Sequence, residues 1–317
     1  MAMRIVFMGS PEFAVSTLQA LADLYPVVGV VTQPDRPAGR GRVLTPPPVK
    51  ILAQELGIAI IQPDSLREEA GMAQLRSWKP DLIVVTAFGQ ILRPDVLDLP
   101  AFGCLNVHAS LLPRWRGAAP IQAAILHGDD LSGVTIMKMD PGVDTGPLLS
   151  QESIPIEKYE TAGSLSQKLS RLGADLLVQT LPKYLNGEAR QQPQVGEPTY
   201  APMLKKSDGE LNFVDDAALL ERKIRAFNPW PGTYLEWEHG RLKVHRAGVV
   251  GSLHIERFEE FPPGERISFG GKPAIITRDG LLILEELQPA GRKSMPGEVF
   301  LRGAPSWTNT YINDRPS

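Results

Sequence analysis

The chain has 317 residues, enough for one very large domain or two ordinary ones, and its 43% hydrophobic and 22% charged residues are the proportions of a soluble globular protein. A net charge of −3, from 33 basic and 36 acidic side chains spread evenly over both halves, argues against a basic nucleic-acid-binding domain and leaves any such contact to local patches. A single cysteine excludes an intramolecular disulfide and a cysteine-rich metal site, and no apolar run approaches the roughly 20 residues that span a bilayer.

Residues 4–8 (RIVFM) read as an opening strand; they lack the long apolar core and small-residue cleavage site of a signal peptide, so the cytoplasm is the expected compartment. Strand patterns follow at 27–32, 82–87 and 104–108, and helical patterns lie between them at 13–24, 49–56 and 68–78. This alternation predicts a Rossmann-like, mostly parallel sheet with right-handed crossovers. Residues 133–139 and 148–156 read as a pair of edge strands around a turn at 140–147, and a helix is expected over 162–186. From 187 to 202 the composition fades into Gln, Pro, Glu and Gly, as in a linker. A short helix at 217–226 is followed by strand patterns at 233–238, 241–250, 273–277, 281–287 and 298–301, with turns at His239-Gly240 and Asp279-Gly280, which predicts a small barrel or sandwich. The expected organisation is a first domain over 1–189, a linker over 190–206 and a second domain over 207–317.

Asn106 and His108 stand two apart on the strand at 104–108 and therefore face the same side. In an open parallel sheet, ligands sit at the carboxyl ends of the strands. An amide and an imidazole there suit holding and polarising a carbonyl, one by donating a hydrogen bond and the other by donating or shuttling a proton. Asp144 lies in the turn DPGVDTG (140–146), where a carboxylate by itself reads as bonding its own backbone. Phe88, Gly89, Gln90, Ile91 and Leu92 follow a strand and open at the same sheet edge. Gly9-Ser10-Pro11, after the first strand, lacks the G-x-G-x-x-G that lets backbone approach a pyrophosphate, so a nicotinamide dehydrogenase is disfavoured. The loop 34–48 is long for a strand-to-helix connection and carries Arg36, Arg40 and Arg42, with Lys50 just beyond, against Asp35. Arg114 and Arg116 bracket Trp115, an arrangement that serves either stacking and phosphate contact or a packing anchor. Lys205 and Lys206 could extend a basic track. His127, His239, His245 and His254 show no ligand spacing and read as structural, and Cys104 reads as a small core residue.

Longer stretches carry more. NVH (106–108) followed by SLLPRWRGAAPI (110–121), with MGSPEFA (8–14), TQPDRPAGRG (32–41), MDPGVDTG (139–146), RAFNPWPG (225–232) and LQPAGRK (287–293), resembles the formyltetrahydrofolate-dependent formyltransferases over nearly the whole chain. The resemblance implies a catalytic set of Asn106, His108 and Asp144, with Asp144 beside His108, where its charge stabilises positive charge on the ring. It implies folate contacts from Phe88 to Leu92, from Ser110, Leu111, Leu112 and Pro113, and from Asp140. It implies 10-formyltetrahydrofolate as formyl donor, an oligonucleotide-binding-like barrel as second domain, and no metal. The implied acceptor is the α-amino group of methionyl initiator tRNA, whose acceptor stem the loop with Arg36, Arg40 and Arg42 enters; Arg114, Arg116, Lys205 and Lys206 are the further tRNA-binding candidates read from the charge pattern. A free α-amino group has a pKa of about 7.7–8.0, and esterifying the carboxyl lowers it further, so an aminoacyl amine is substantially neutral near pH 7 and no strong general base is needed. A monomer is the expected state. The rival expectation is a formyltransferase acting on an amino sugar nucleotide or a glycinamide ribotide; the Arg-rich loop and the RAFNPWPG match favour tRNA. A catalytically silent RNA-binding module is disfavoured by the intact Asn106, His108 and Asp144, and a hydrolase would turn over folate without an acceptor.

Overall fold

A computed structural model describes residues 3–38, 41, 43–252, 260–307 and 311–312. Arg40, Arg42 and His254 lie outside the described residues. The chain forms two compact units: the first comprises 1–120, 131–155 and 165–202, the second 121–130, 156–164 and 203–317. Among the described residues, no helix is long and apolar enough to cross a membrane.

In chain order the first elements are β1 (Ile5–Gly9), α1 (Val15–Leu24), β2 (Val27–Val31), β3 (Arg36–Ala38), β4 (Val43–Thr45), α2 (Pro48–Glu55), β5 (Ile60–Ile61), α3 (Glu69–Ser77), β6 (Leu82–Thr86), α4 (Pro94–Leu97) and β7 (Cys104–His108). They continue with β8 (Arg116–Gly117), α5 (Pro120–His127), β9 (Leu131–Lys138), β10 (Leu148–Pro155), α6 (Ala162–Leu185) and β11 (Tyr200–Ala201). The main sheet has the order β10-β9-β7-β6-β1-β2-β5, parallel from β5 to β7, with β9 and β10 added antiparallel at one edge as the sequence predicts. Its central strands β1 and β6 are apolar runs buried throughout because both faces are covered. Val6, Met8, Ile83, Val85 and Cys104 pack with Met72, Leu75 and Trp78 on one side, while Ile5, Phe7, Leu82 and Val84 are fully buried as well. Burial pushes the Cys104 thiol up to about 12, so it stays neutral, as a small core residue does. In the triplet Pro46-Pro47-Pro48, the last proline is the first residue of α2, where a missing N–H costs nothing.

The second unit contains α7 (Ala217–Ala226), β12 (Thr233–Trp237), β13 (Gly240–Val250), β14 (Arg266–Phe269), β15 (Lys272–Ile276), β16 (Leu281–Pro289), β17 (Met295–Pro296), α8 (Gly297–Arg302) and β18 (Tyr311–Ile312). Its sheet runs β12-β13-β16-β15-β14-β18 and is antiparallel except for the last pair. Along β16, alternate residues enter different cores: Leu282 and Leu284 pack with α7, Phe300 and Trp307, whereas Leu281 and Ile283 pack with Ile267, Ala274 and Ile276. Register shifts on either side of Arg246 bend β13.

Two expectations are corrected. Residues 298–301 are helical, within α8, not a strand. Pro296 pairs as part of β17 and then starts the helix; Glu298 in the first turn and Arg302 in the last suit the helix dipole, and Phe300 packs at 5.1 Å from Trp237 and 5.5 Å from Trp307. A four-residue apolar run does not distinguish the two states by period alone. The segment 190–206, expected as a linker, is bonded into the first unit as far as residue 202. Leu148 and Gln192 exchange backbone hydrogen bonds of 2.7 and 2.9 Å, and β11 pairs in parallel with β8. Its polar composition supplies hydrogen-bonding groups to neighbouring loops instead of freedom to move.

Candidate active site

β7 projects Asn106 and His108 from one face, both nearly buried, with 9% and 6% of their surface exposed. The connection from β9 to β10 brings Asp144 back to them. Asn106 Nδ2 donates to Asp144 Oδ1 at 3.2 Å, the backbone N–H of Gly117 donates to Asp144 Oδ2 at 2.8 Å, and His108 Nδ1 lies 3.6 Å from Asp144 Oδ2. On the other side of the ring, His108 Nε2 is 3.0 Å from the carbonyl oxygen of Trp115. A carbonyl only accepts, so Nε2 carries a hydrogen and Nδ1 is the nitrogen turned to the carboxylate.

Asp144 has φ of 51°, in the left-handed region. That conformation costs a non-glycine residue roughly 1–2 kcal/mol. Two hydrogen bonds to its carboxylate, each contributing roughly 1.5–3 kcal/mol, outweigh the cost and fix the side chain. Gly117 has φ of 110°, and a Cβ there would lie 2.7 Å from the carbonyl of Ala201, so only glycine presents its N–H to Asp144 while lying against β11. Asp140 Oδ1 accepts from Gly142 N at 3.1 Å and from Thr145 Oγ1 at 2.6 Å, which closes the turn internally.

Beside these groups lies a cavity of about 120 Å³, walled by Ile91, Leu92, Met137, Met139 and Val143, with Gln90, Asp140 and Asp144 at its polar rim. A second cavity, of about 480 Å³, sits where the strand order reverses, between the carboxyl ends of β1, β2 and β6; Ser10, Gln33, Arg36, Phe88 and Gly89 are among its lining residues.

Comparison with known proteins follows the same division. The formyl transferase model matches residues 3–181, and the formyl transferase C-terminal domain model matches 203–305. A methionyl-tRNA formyltransferase of Myxococcus xanthus is 48% identical over 302 residues, covering 95% of each chain. The chain belongs to the formyl transferase family. Among solved structures, an N-formyltransferase of Helicobacter canadensis in complex with folinic acid and dTDP-3-aminofucose shares the fold, with a TM-score of 0.64 and 18% identity over 90% of this chain and 99% of that one. HypX of Aquifex aeolicus in complex with tetrahydrofolic acid gives a TM-score of 0.60 and 18% identity; it aligns with all of this chain, which spans 50% of its length.

In this formyltransferase the expected folate residues divide. Gln90, Ile91, Leu92 and Asp140 line the smaller cavity, whereas Phe88 and Gly89 line the larger. Ser110, Leu111, Leu112 and Pro113 are among the lining residues of neither. Their segment is fastened to the sheet: Thr135 Oγ1 donates to Ser110 O at 2.6 Å, Leu112 N donates to Thr135 Oγ1 at 3.2 Å, and Gln151 Nε2 donates to Leu112 O at 2.9 Å. Ser110 Oγ donates to Arg114 O at 2.6 Å and reaches Trp115 O, the carbonyl that faces His108, at 3.5 Å.

The expected acceptor residues divide as well. Arg36 is exposed at the rim of the larger cavity and donates to Gln33 Oε1. Lys50 is paired with Asp35 at 2.7 Å, and Gln62 Nε2 donates to the same carboxylate at 2.8 Å, holding it below its ordinary value of 3.8. Arg114 is exposed and stacks 4.3 Å from the centre of the Trp115 ring, so Trp115, 5% exposed, serves both packing and stacking. Arg116 is half-buried and hydrogen-bonded to Gln194. Lys205 and Lys206 are exposed and belong to the second unit. Sequence reasoning misses Met137, Met139 and Val143 as cavity walls, although Met139 and Val143 lie beside and within the DPGVDTG turn. It also misses Gln194, for which nothing local gives a signal.

Proposed function

We propose that this formyltransferase moves the formyl group of 10-formyltetrahydrofolate to the α-amino group of methionine carried on initiator tRNA. The observation that carries the reading is the joining of Asn106 and His108 to Asp144, which itself lines a largely apolar cavity. Apolar side chains together with Gln90, Asp140 and Asp144 suit a pterin ring, and Asp144, which lines the cavity, is hydrogen-bonded to Asn106. Identity of 48% along nearly the whole length to a methionyl-tRNA formyltransferase supports the acceptor.

Attack of the amine nitrogen on the formyl carbon forms the new C–N bond and turns the formyl oxygen into an oxyanion. One N–H of the Asn106 amide is held by Asp144, and the other is placed to donate to that oxygen. His108 Nδ1 is placed to relay the proton that the amine gives up, and the Asp144 carboxylate balances the charge on the ring while it does so. Breaking the bond from the formyl carbon to the folate nitrogen releases tetrahydrofolate, whose nitrogen takes that proton. Arg36, Arg40, Arg42, Arg114, Lys205 and Lys206 are the candidates for acceptor contacts, with cationic groups suited to phosphates.

The test supplies labelled 10-formyltetrahydrofolate together with charged initiator tRNA, an amino sugar nucleotide and a glycinamide ribotide. Label is expected on the methionyl-tRNA. Transfer to either small acceptor, with none to tRNA, would replace this reading by its rival.

A further inference from the structure

Residues 192–201 cross both loops that form the site. Besides the Leu148–Gln192 exchange and the pairing of β11 with β8, Trp115 N donates to Thr199 Oγ1 at 2.9 Å and Arg116 N donates to Thr199 O at 2.9 Å. At the centre is Gln194. Its Nε2 donates to the carbonyl of Asp144 at 2.8 Å and to that of Gly146 at 2.9 Å, while its Oε1 accepts from Arg116 Nε at 3.1 Å and Nη2 at 2.6 Å.

The amide orientation is forced. A guanidinium only donates and a carbonyl only accepts, so Oε1 must face Arg116 and Nε2 must face the loop. Arg116 immediately precedes Gly117, whose N–H holds the Asp144 carboxylate. A closed circuit results: Gly117 grips the side chain of Asp144, Gln194 grips its backbone, and Arg116 orients Gln194. The first two links restrain Asp144, whose left-handed backbone would otherwise relax.

Resting on the formyl-transfer reading above, we infer that Gln194 is a positioning residue for that reaction: oriented by Arg116, its amide fixes the Asp144 loop against Asn106 and His108. Arg116 thereby serves the catalytic geometry and not acceptor affinity.

The experiment uses the full-length protein with both substrates, and measurable transfer by the wild type secures the underlying reading before any variant is compared. Gln194→Ala and Gln194→Glu are each expected to lower kcat by about 10- to 100-fold, because displacements of about 1 Å in a reacting constellation cost this much. KM for folate and for the acceptor should stay within about twofold, since neither ligand is touched by Gln194. Gln194→Glu is the sharper variant. It keeps an acceptor for Arg116 but turns a second oxygen toward two carbonyl oxygens, so it keeps the strap and breaks the clamp. Arg116→Ala should lower kcat in the same way, and combining it with Gln194→Ala should cost no more than Gln194→Ala alone, as for residues acting as one unit. Gln192→Ala, which leaves the backbone exchange with Leu148 intact, should match the wild type. Unchanged kcat in Gln194→Glu would overturn the inference. So would additive effects in which Arg116→Ala raises the KM for tRNA, since Arg116 would then be an acceptor contact. Unchanged melting temperature and folate affinity would separate lost positioning from lost fold; if either falls in step with kcat in both Gln194 variants, the positioning role is refuted.

Discussion

The loop that carries Asp144 and the loop that carries Arg36 differ in what holds them. Around Asp144, the carboxylate, its own carbonyl and the carbonyl of Gly146 all have donors within 3.2 Å, supplied by β7, β8 and the strap at 192–201. The loop 34–48 is anchored at its base, where Lys50 and Gln62 hold Asp35, but beyond it the hairpin of β3 and β4 exposes Val43 and Leu44 at 68% and 66%. Chemistry at a carbonyl carbon needs groups fixed to a fraction of an ångström, and the bonds around Asp144 suit the proposed transfer in that respect. The proposed role of this loop in meeting a large partner needs surface, and Val43 and Leu44 provide it.

Breaking the fixed side should give the largest effects. His108→Ala and Asn106→Ala are each expected to lower kcat by about 10²- to 10³-fold with melting temperature little changed, measured by single-turnover formyl transfer. Wild-type rates in a folded variant of either residue would remove the proposed chemistry. Asp144→Asn keeps the size of the side chain and, with its oxygen toward Gly117, that hydrogen bond, but it removes the charge facing His108 and turns an NH2 toward the Asn106 amide; a fall in kcat of about 10-fold or more is expected.

On the side of the Arg36 loop, if it contacts the acceptor as proposed, the effects should fall on affinity. Arg40→Ala combined with Arg42→Ala is expected to weaken binding of charged initiator tRNA and to reduce the slope of log affinity against log salt by about 0.9 for each duplex phosphate that is no longer neutralised, while folate binding holds. An unchanged slope would detach the loop from tRNA and erase the contrast with the Asp144 loop. The smallest effect belongs to the anchor at the loop's base. A carboxyl held below its ordinary value of 3.8 stabilises the fold above that pH, and the contribution disappears as pH falls through the lowered value. Asp35→Asn should therefore melt slightly lower than the wild type at neutral pH, and the difference should close in acid; a difference constant with pH would mean that the charge is not what matters.

How far the site is legible in the sequence depends on the range of the interactions. The sheet can be read because apolar strands and intervening helices are local patterns, and the facing of Asn106 and His108 follows from strand alternation alone. Asp144 comes beside His108 only through resemblance, since a chain turn of its type ordinarily bonds itself, as Asp140 does here. Ser110 to Pro113 follow directly on β7, yet their bonds run to Thr135 and Gln151, on strands that come later in the chain. Gln194 is illegible for the same reason in stronger form: its partners lie 48, 50 and 78 residues away, in a stretch whose composition signals slack chain. Residues 298–301 fail differently, through a short run whose packing on Trp237 and Trp307 decides for helix.

The strap also decides where this protein can be cut. Composition puts the end of the first domain at 189, and a fragment stopped there would lack Gln194, Thr199 and β11, and with them the donors that shape the Asp144 loop. Its failure to transfer formyl would then say nothing about whether the second unit takes part in the reaction. A fragment carried through Pro202 keeps the circuit closed, and only its activity, set beside that of the full chain, isolates what the remaining residues contribute.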